Sequence, residues 1–179
     1  MREPTIARNY AEALFESGER SKQSQRYADL IEAVAGAIDA DPRVRTVLES
    51  PRVTKAQKRE ILAKALKGHA PEPFVRFLGA VVKRGRQGMF SAIAHEYLGL
   101  VDVKMNRIHA GVVVARKPDD KLQKEIAERL SRIVGKTVVA HFRHDPGILG
   151  GVIVRMGDRV MDGSVRRKML ILRRKMLGA

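Results

Sequence analysis

The chain has 179 residues, with 35 Lys and Arg against 20 Asp and Glu, so its formal net charge is +15 at pH 7. It has no cysteine, which excludes disulfides and thiolate metal or redox sites, and no apolar stretch approaches the roughly 20 residues that span a bilayer. The positive excess indicates an anionic partner, which by charge alone could be a nucleic acid, an anionic membrane surface or an acidic protein.

Residues 1 to about 105 carry the pattern of successive helices. In the first helix Ile6, Tyr10 and Leu14 recur every four residues, so they form one apolar stripe. The polar segment Ser17–Gln25 is expected to separate this helix from the second. The apolar positions of the second helix are Leu30, Ile31, Val34, Ala37 and Ile38. Because only 4% of the residues are aromatic, the core is expected to be aliphatic.

Turn and capping signals delimit four more helices. Asp41-Pro42 opens a short helix that ends near Ser50-Pro51, because a residue before proline avoids the α region. Thr54, followed three residues later by Gln57, predicts a capping box. The last two helices are expected to start at Pro71-Glu72-Pro73 and to run from Met89 to about Met105. Six helices with short connections predict a compact bundle.

The apolar pattern changes near Asn106. Ile108–Ala115 and Val138–Phe142 are rich in β-branched residues, which predicts two strands. Between them, Pro118-Asp119 is expected to begin a helix that Gly135 ends. The pattern predicts a fold that is mainly α with a small α/β part. It consists of an N-terminal six-helix bundle over residues 1–105 and a C-terminal mixed α/β domain over residues 106–179.

Glycine-containing breaks surround the next apolar run, Val152–Met156, whose alternating residues predict a strand with two different faces. Gly157-Asp158 is a two-residue turn of the kind that closes a tight hairpin. Gly150-Gly151 predicts a bulge or a close approach of two backbone segments. Asp162-Gly163-Ser164 ends the return strand and places Ser164 as the N-cap of a final helix.

The residues offer little for catalysis. No phosphate-binding loop is present, since the glycines of 147–151 lack the lysine and hydroxyl that such a loop needs. His141 and His144 lie in a predicted strand, where a spacing of three directs them to opposite faces, so we interpret them as surface residues. Asp158 and Asp162 have local roles in the turn and before the helix. We predict no catalytic residue, no cofactor and no bound metal.

The terminal helix concentrates positive charge. Residues 106–179 hold 17 Lys and Arg against 7 Asp and Glu. Two triplets seven residues apart cover one side of this helix: Arg166, Arg167 and Lys168, then Arg173, Arg174 and Lys175. A separate apolar stripe consists of Val165, Met169, Leu172 and Met176. Such a helix can dock on phosphates, on anionic lipid or on an acidic helix, or it can pack on the core with its basic side in solvent.

Segment 145–164 resembles the C-terminal signature of the delta subunit of F-type ATP synthases, a family that includes the mitochondrial oligomycin-sensitivity-conferring protein. The segment Ile6–Phe15 is similar to the opening helix of that family. Leu48–Val53 and Gly85-Arg86 also fall where the family has its motifs. The chain departs at Asn9, where the family commonly has proline, and in the strong basicity of its C-terminal half.

The resemblance implies a non-catalytic stator subunit that links the peripheral stalk to the top of the catalytic head of a proton-translocating ATP synthase. Its N-terminal bundle would hold the N-terminal helix of an alpha subunit in a groove between the first and fifth helices. Tyr10, Ala13 and Ala80 would line that groove, with Leu14 and Phe77 in the core beneath it. The C-terminal domain would hold the C-terminal end of the b subunit through an acidic stretch, so salt should weaken that contact.

The expected partners are therefore protein subunits of a multisubunit complex, with no small-molecule substrate and no nucleic acid. The membrane would be reached only through the complex, at the cytoplasmic face of a bacterial inner membrane. The lack of an Arg- and Ser-rich segment before the first helix favours a bacterial over an organellar origin. Two other hypotheses use the terminal helix: an RNA- or ribosome-associated module, which the scarcity of base-stacking aromatics disfavours, and an adaptor on anionic membrane.

Overall fold

The computed structural model describes residues 3–177. The chain divides into two compact units, Met1–Asp102 and Val103–Ala179. Within the described residues there are eight α-helices and one four-stranded mixed sheet, with every strand in the second unit. The predicted fold, mainly α with a small α/β part, is confirmed at this level. None of the described helices combines the length and the apolar character that crossing a bilayer requires.

The first unit contains six helices and a short 3₁₀ turn, although α6 continues two residues past the division. They are α1 (Glu3–Arg20), α2 (Ser24–Ala40), α3 (Pro42–Glu49), α4 (Lys55–Ala65), α5 (Glu72–Lys83), the 3₁₀ turn Gln87–Met89, and α6 (Phe90–Lys104). The polar segment Ser17–Gln25 is helical at both ends, so the prediction that it separates the first two helices was too broad. Its polar side chains suit the solvent-facing ends of two helices, and only residues 21–23 interrupt them.

Local capping fixes the starts of two of these helices as predicted. The carboxylate of Asp41 accepts a hydrogen bond from the backbone N–H of Arg43 at 2.8 Å. The hydroxyl of Thr54 accepts from the N–H of Gln57, and the Gln57 side chain accepts in turn from the N–H of Thr54. All three bonds satisfy N–H groups that the start of a helix leaves without a partner.

The core of the first unit contains aromatic side chains, so the prediction of an aliphatic core was wrong here. Of the eight Phe and Tyr in the chain, four are fully buried in it: Tyr27, Phe74, Phe90 and Tyr97. The rings of Tyr27 and Phe74 meet edge to face, with centroids 5.5 Å apart. The hydroxyl of Tyr97 donates to the carbonyl of Ser24 at 3.0 Å, and burial raises the pKa of Tyr97. The aromatic residues are few, but half of them are fully buried in this core.

The second unit packs one helix against a sheet and extends another from it. Its elements are β1 (Arg107–Val114), α7 (Asp120–Val134), β2 (Thr137–His144), the 3₁₀ turn Pro146–Ile148, β3 (Val152–Met156), β4 (Arg159–Asp162) and α8 (Val165–Met176). The strand order is β2-β1-β3-β4. The pair β1/β2 is parallel and the other two pairs are antiparallel. Since β1 and β2 are parallel, their connection must cross over the sheet, and α7 provides it.

One face of this sheet forms a small aliphatic core. Its buried residues are Ala110, Val112, Val114, Val138, Val154 and Met156, joined by Leu130 from α7. The Asp119 carboxylate accepts from the N–H of Leu122 at the start of α7, and Gly135 ends the helix in a left-handed conformation, as predicted. The sequence pattern thus placed both ends of the helix that covers the sheet.

Candidate partner-binding surfaces

A groove about 500 Å³ in volume runs between α1 and α5. We call it the α1–α5 groove. It is lined by Ile6, Asn9, Tyr10, Ala13, Phe77, Ala80, Arg84 and Arg86. All three residues that the family resemblance assigns to such a groove, Tyr10, Ala13 and Ala80, are therefore brought together. Because Ala13 and Ala80 are small and exposed, a partner's backbone can approach closely between them.

Tyr10 brings an aromatic ring and a hydroxyl to this groove. Its ring packs edge to face on Phe77, with centroids 6.2 Å apart, and the guanidinium of Arg86 lies 5.9 Å from its centroid. Its hydroxyl oxygen is buried and has no hydrogen-bond partner among the described residues. A buried hydroxyl without a partner is costly, and this oxygen has almost no accessible surface. A guest would bond it only after the Tyr10 side chain turns outward, and the gain of the missing hydrogen bond favours that turn.

The expectation that Leu14 and Phe77 lie in the core is met by only one of them. Leu14 is fully buried, whereas Phe77 is half-buried and lines the groove. Phe77 precedes Ala80 by three residues on α5, and that spacing places both on one helix face. Helical spacing from Ala80 therefore could have found Phe77 and Arg84. Arg86 follows the end of α5, and no periodicity indicates it.

The glycine motif of the second unit holds two backbone segments together. Gly163 donates from its N–H to the carbonyl of Val152, and Val165 donates to the carbonyl of Gly150, both at 2.9 Å. Gly151 has φ +80°, and a Cβ placed there would lie 2.4 Å from the carbonyl oxygen of Gly163. The predicted close approach is therefore present, and it positions the start of α8 beside the start of β3.

The remaining motif residues have the predicted local roles. Gly157-Asp158 is the turn between β3 and β4, with φ +53° at Gly157. Ser164 is buried and its hydroxyl accepts from the N–H of Arg167, so it caps α8. The hydroxyl and the N–H of Ser164 both donate hydrogen bonds that lower the pKa of Asp162, and the hydroxyl has the larger effect. That carboxylate therefore stabilises the fold at neutral pH, and its contribution is lost as pH falls through its lowered pKa.

Helix α8 has no buried residue between Val165 and Met176. The alternative in which this helix packs on the core is therefore wrong. The unit's small core is completed by α7 and the sheet, and nothing described covers the apolar stripe of α8. The six cations of its two triplets are exposed: Arg166, Arg167, Lys168, Arg173, Arg174 and Lys175. Among them Arg167 lies 4.0 Å from the carboxylate of Asp162, and this exposed helix contains no acidic residue.

The two histidines that the sequence singled out are exposed, as predicted. His144 Nε2 lies 3.0 Å from the carbonyl oxygen of Ala115. His141 Nε2 lies 2.8 Å from Nδ1 of His109 on the neighbouring strand, a pairing that only the β1–β2 register reveals. In the part of the chain that the structure describes, no group of three or more His, Cys, Asp or Glu could hold a metal ion.

Comparison with known proteins gives consistent results. A family model described as the ATP synthase delta (OSCP) subunit matches residues 6–176. A protein of Gemmatimonas aurantiaca named ATP synthase subunit delta is 49% identical over 174 residues, which are 97% of this chain and 94% of that protein. One of the same name from Syntrophobacter fumaroxidans is 32% identical over 171 residues, 95% and 93% of the two chains.

A solved structure shares the fold. The cryo-EM structure of the Toxoplasma gondii mitochondrial ATP synthase hexamer includes a chain that superposes with a TM-score of 0.67. The match covers 96% of this chain and 97% of that chain at 21% sequence identity. At that identity the likeness concerns the fold.

Proposed function

Because this chain belongs to the ATP synthase delta (OSCP) subunit family, we propose that its two units bind different parts of the synthase and so join the peripheral stalk to the catalytic head. The chain is a non-catalytic subunit of a multisubunit complex. Its task is mechanical, since the head must not turn with the rotor. Two attachments on one chain also raise each other's effective concentration, which favours a long-lived linkage.

The first attachment is the N-terminal helix of an alpha subunit, bound in the α1–α5 groove of a six-helix bundle formed by residues 1–105. The observation that carries this proposal is the convergence of Tyr10, Ala13 and Ala80 on one groove. An amphipathic guest helix would place its apolar face over Ala13 and Ala80. Arg84 and Arg86 at the groove favour acidic residues on the guest.

The second attachment is the C-terminal end of the stalk's b subunit, bound by residues 106–179. Its support is the uncovered helix α8, which combines an apolar stripe with six cations. On this proposal the chain lies at the cytoplasmic face of a bacterial inner membrane and meets the membrane only through the complex. The RNA-associated alternative has no support among the relatives reported above, since both carry the name ATP synthase subunit delta.

The unpaired hydroxyl of Tyr10 provides a test of the alpha-subunit contact. Replacing Tyr10 with Phe keeps the ring contact with Phe77 but removes the group that a guest helix would bond. We expect the dissociation constant for an alpha N-terminal peptide to rise by about 3- to 10-fold, the usual net value of one hydrogen bond. Calorimetric titration of the full chain measures this change.

The control is Tyr27→Phe, because that hydroxyl is also buried without a partner among the described residues but does not line the groove. Peptide affinity should not change in this variant. Equal affinity for wild type and Tyr10→Phe would contradict a guest that bonds the groove hydroxyl.

A further inference from the structure

The second unit contains a largely apolar cleft in addition to the exposed stripe of α8. It lies between α7 and the segment that leads into β3, and its volume is about 450 Å³. We call it the α7–Leu149 cleft. It is lined by Val114, Ala115, Arg116, Leu122, Ile126, Leu149, Gly150, Gly151 and Val152. Arg116 is the single charged side chain among these described lining residues, so the cleft offers an apolar guest a largely apolar wall.

Leu149 lines this cleft with a backbone conformation that is unfavourable for leucine. Its backbone is left-handed, with φ +62° and ψ −28°, a conformation that leucine rarely adopts. Its N–H donates to the carbonyl of Pro146, and its side chain remains 67% exposed. Because the side chain of Leu149 is mostly exposed, its burial does not offset the cost of this backbone conformation. An exposed residue kept in an unfavourable conformation is typical of a site that contacts another molecule.

The apolar stripe of α8 begins at the same place. Val165 donates its N–H to the carbonyl of Gly150, a cleft residue. From there Met169 and Leu172 extend the stripe along the helix, both more than half exposed. On the opposite wall Leu122 is 44% exposed. The cleft and the start of α8 therefore both expose large apolar side chains, and an exposed apolar patch of this kind usually marks an interaction surface.

The charges around this surface favour an acidic partner. Arg116 lines the cleft, and α8 adds two basic triplets without a single acidic residue. On the α7 side, the Asp119 carboxylate is bonded to the N–H of Leu122 and Glu125 is bonded to Arg129. The other two acidic residues, Asp120 and Glu128, each lie two positions from a cleft residue of α7, a helical spacing that turns them away from the cleft. A helix with one apolar face and carboxylates flanking it would therefore complement both the shape and the charge.

We propose that the α7–Leu149 cleft and the apolar stripe of α8 form one docking surface for an acidic amphipathic helix, with Leu149 as its central apolar contact. The identity of that helix rests on the function proposed above, by which it is the C-terminal end of the b subunit. The cations of α8 orient this helix, and the apolar surface supplies the slow dissociation.

The test uses the full chain and a synthetic peptide of the C-terminal segment of the b subunit that assembles with it. In Leu149→Gly the apolar side chain is lost, while glycine accepts the left-handed backbone without strain. We expect the dissociation constant to rise at least 10-fold while the melting temperature stays equal or rises. A purely structural role for Leu149 would instead lower the melting temperature. Leu122→Ala, on the facing wall, should also weaken binding.

The matched control is Ile133→Ala. Ile133 is 74% exposed on α7 but does not line the cleft. The dissociation constant of this variant for the peptide should therefore change less than 2-fold. If wild type binds the peptide and Leu149→Gly binds it equally well, the docking surface is wrong and the b contact stands. If wild type does not bind the peptide, the proposed b contact itself fails. Binding of phosphatidylglycerol vesicles or of poly(A) that Leu149→Gly abolishes would overturn the acidic helix as occupant.

Discussion

Replacing Gly151 with alanine is expected to lower the free energy of unfolding of the C-terminal unit by at least about 3 kcal/mol. The new Cβ would lie 2.4 Å from the carbonyl oxygen of Gly163 and 3.2 Å from the Cα of Ser164. These are backbone atoms, so they can move away only if the hydrogen bonds of Gly163 and Val165 to the opposite segment break. The left-handed φ of Gly151 adds further strain for any residue with a side chain.

Urea unfolding followed by hydrogen exchange in β3 measures this loss within the affected unit. Two other glycines provide matched controls, because an added Cβ has no atom within 4 Å at either. Gly157→Ala carries only the penalty of positive φ, about 1 kcal/mol. Gly36→Ala lies inside α2 and should stabilise by up to about 1 kcal/mol. If Gly151→Ala were no more destabilising than Gly157→Ala, the close approach of the two segments would not be a tight one.

Replacing Ala13 with Asp is expected to weaken binding of the alpha N-terminal peptide at least about 100-fold, or roughly 2.7 kcal/mol. Ala13 is exposed within the α1–α5 groove, where a bound helix would cover it. A carboxylate there would lose its water when the guest docks, and its volume would hold the guest away from the groove floor. Because the position is exposed in the free chain, the fold should tolerate the change.

Calorimetric titration again gives the affinity, and circular dichroism checks the fold. Ala92→Asp is the control, since Ala92 is exposed on α6 and does not line the α1–α5 groove. It introduces the same residue into a helix and should leave peptide affinity within about 2-fold. Ala80→Asp, on the facing wall, should repeat the loss seen at Ala13. Unchanged affinity in both groove variants would place the alpha contact elsewhere on the chain.

The ends of the helices and the turns were predictable because their signals are local. Asp41, Thr54, Asp119 and Ser164 each accept a backbone hydrogen bond within three residues, and a short peptide already contains that information. The close approach at Gly151 was also predictable, since glycine pairs before a strand have few other uses.

The features that sequence reasoning missed depend on how distant segments meet. Phe77 lines the groove because α1 packs beside α5, and His109 bonds to His141 because of the β1–β2 register. The sequence also could not decide whether α8 is exposed, because an amphipathic pattern is the same whether the chain itself or a partner covers the helix. The units divide after Asp102, whereas the change of pattern suggested a boundary at 105.

A reconstitution measures whether this chain joins the stalk to the head. The cytoplasmic segment of the b subunit would be immobilised, and catalytic head stripped of its delta subunit would be passed over it with and without this chain. If the two units bind different subunits, the head will be retained only when the chain is present, and Ala13→Asp will abolish its retention while the chain itself stays bound to b. Retention of the head without the chain, or binding of each partner separately but never together, would contradict a linking role.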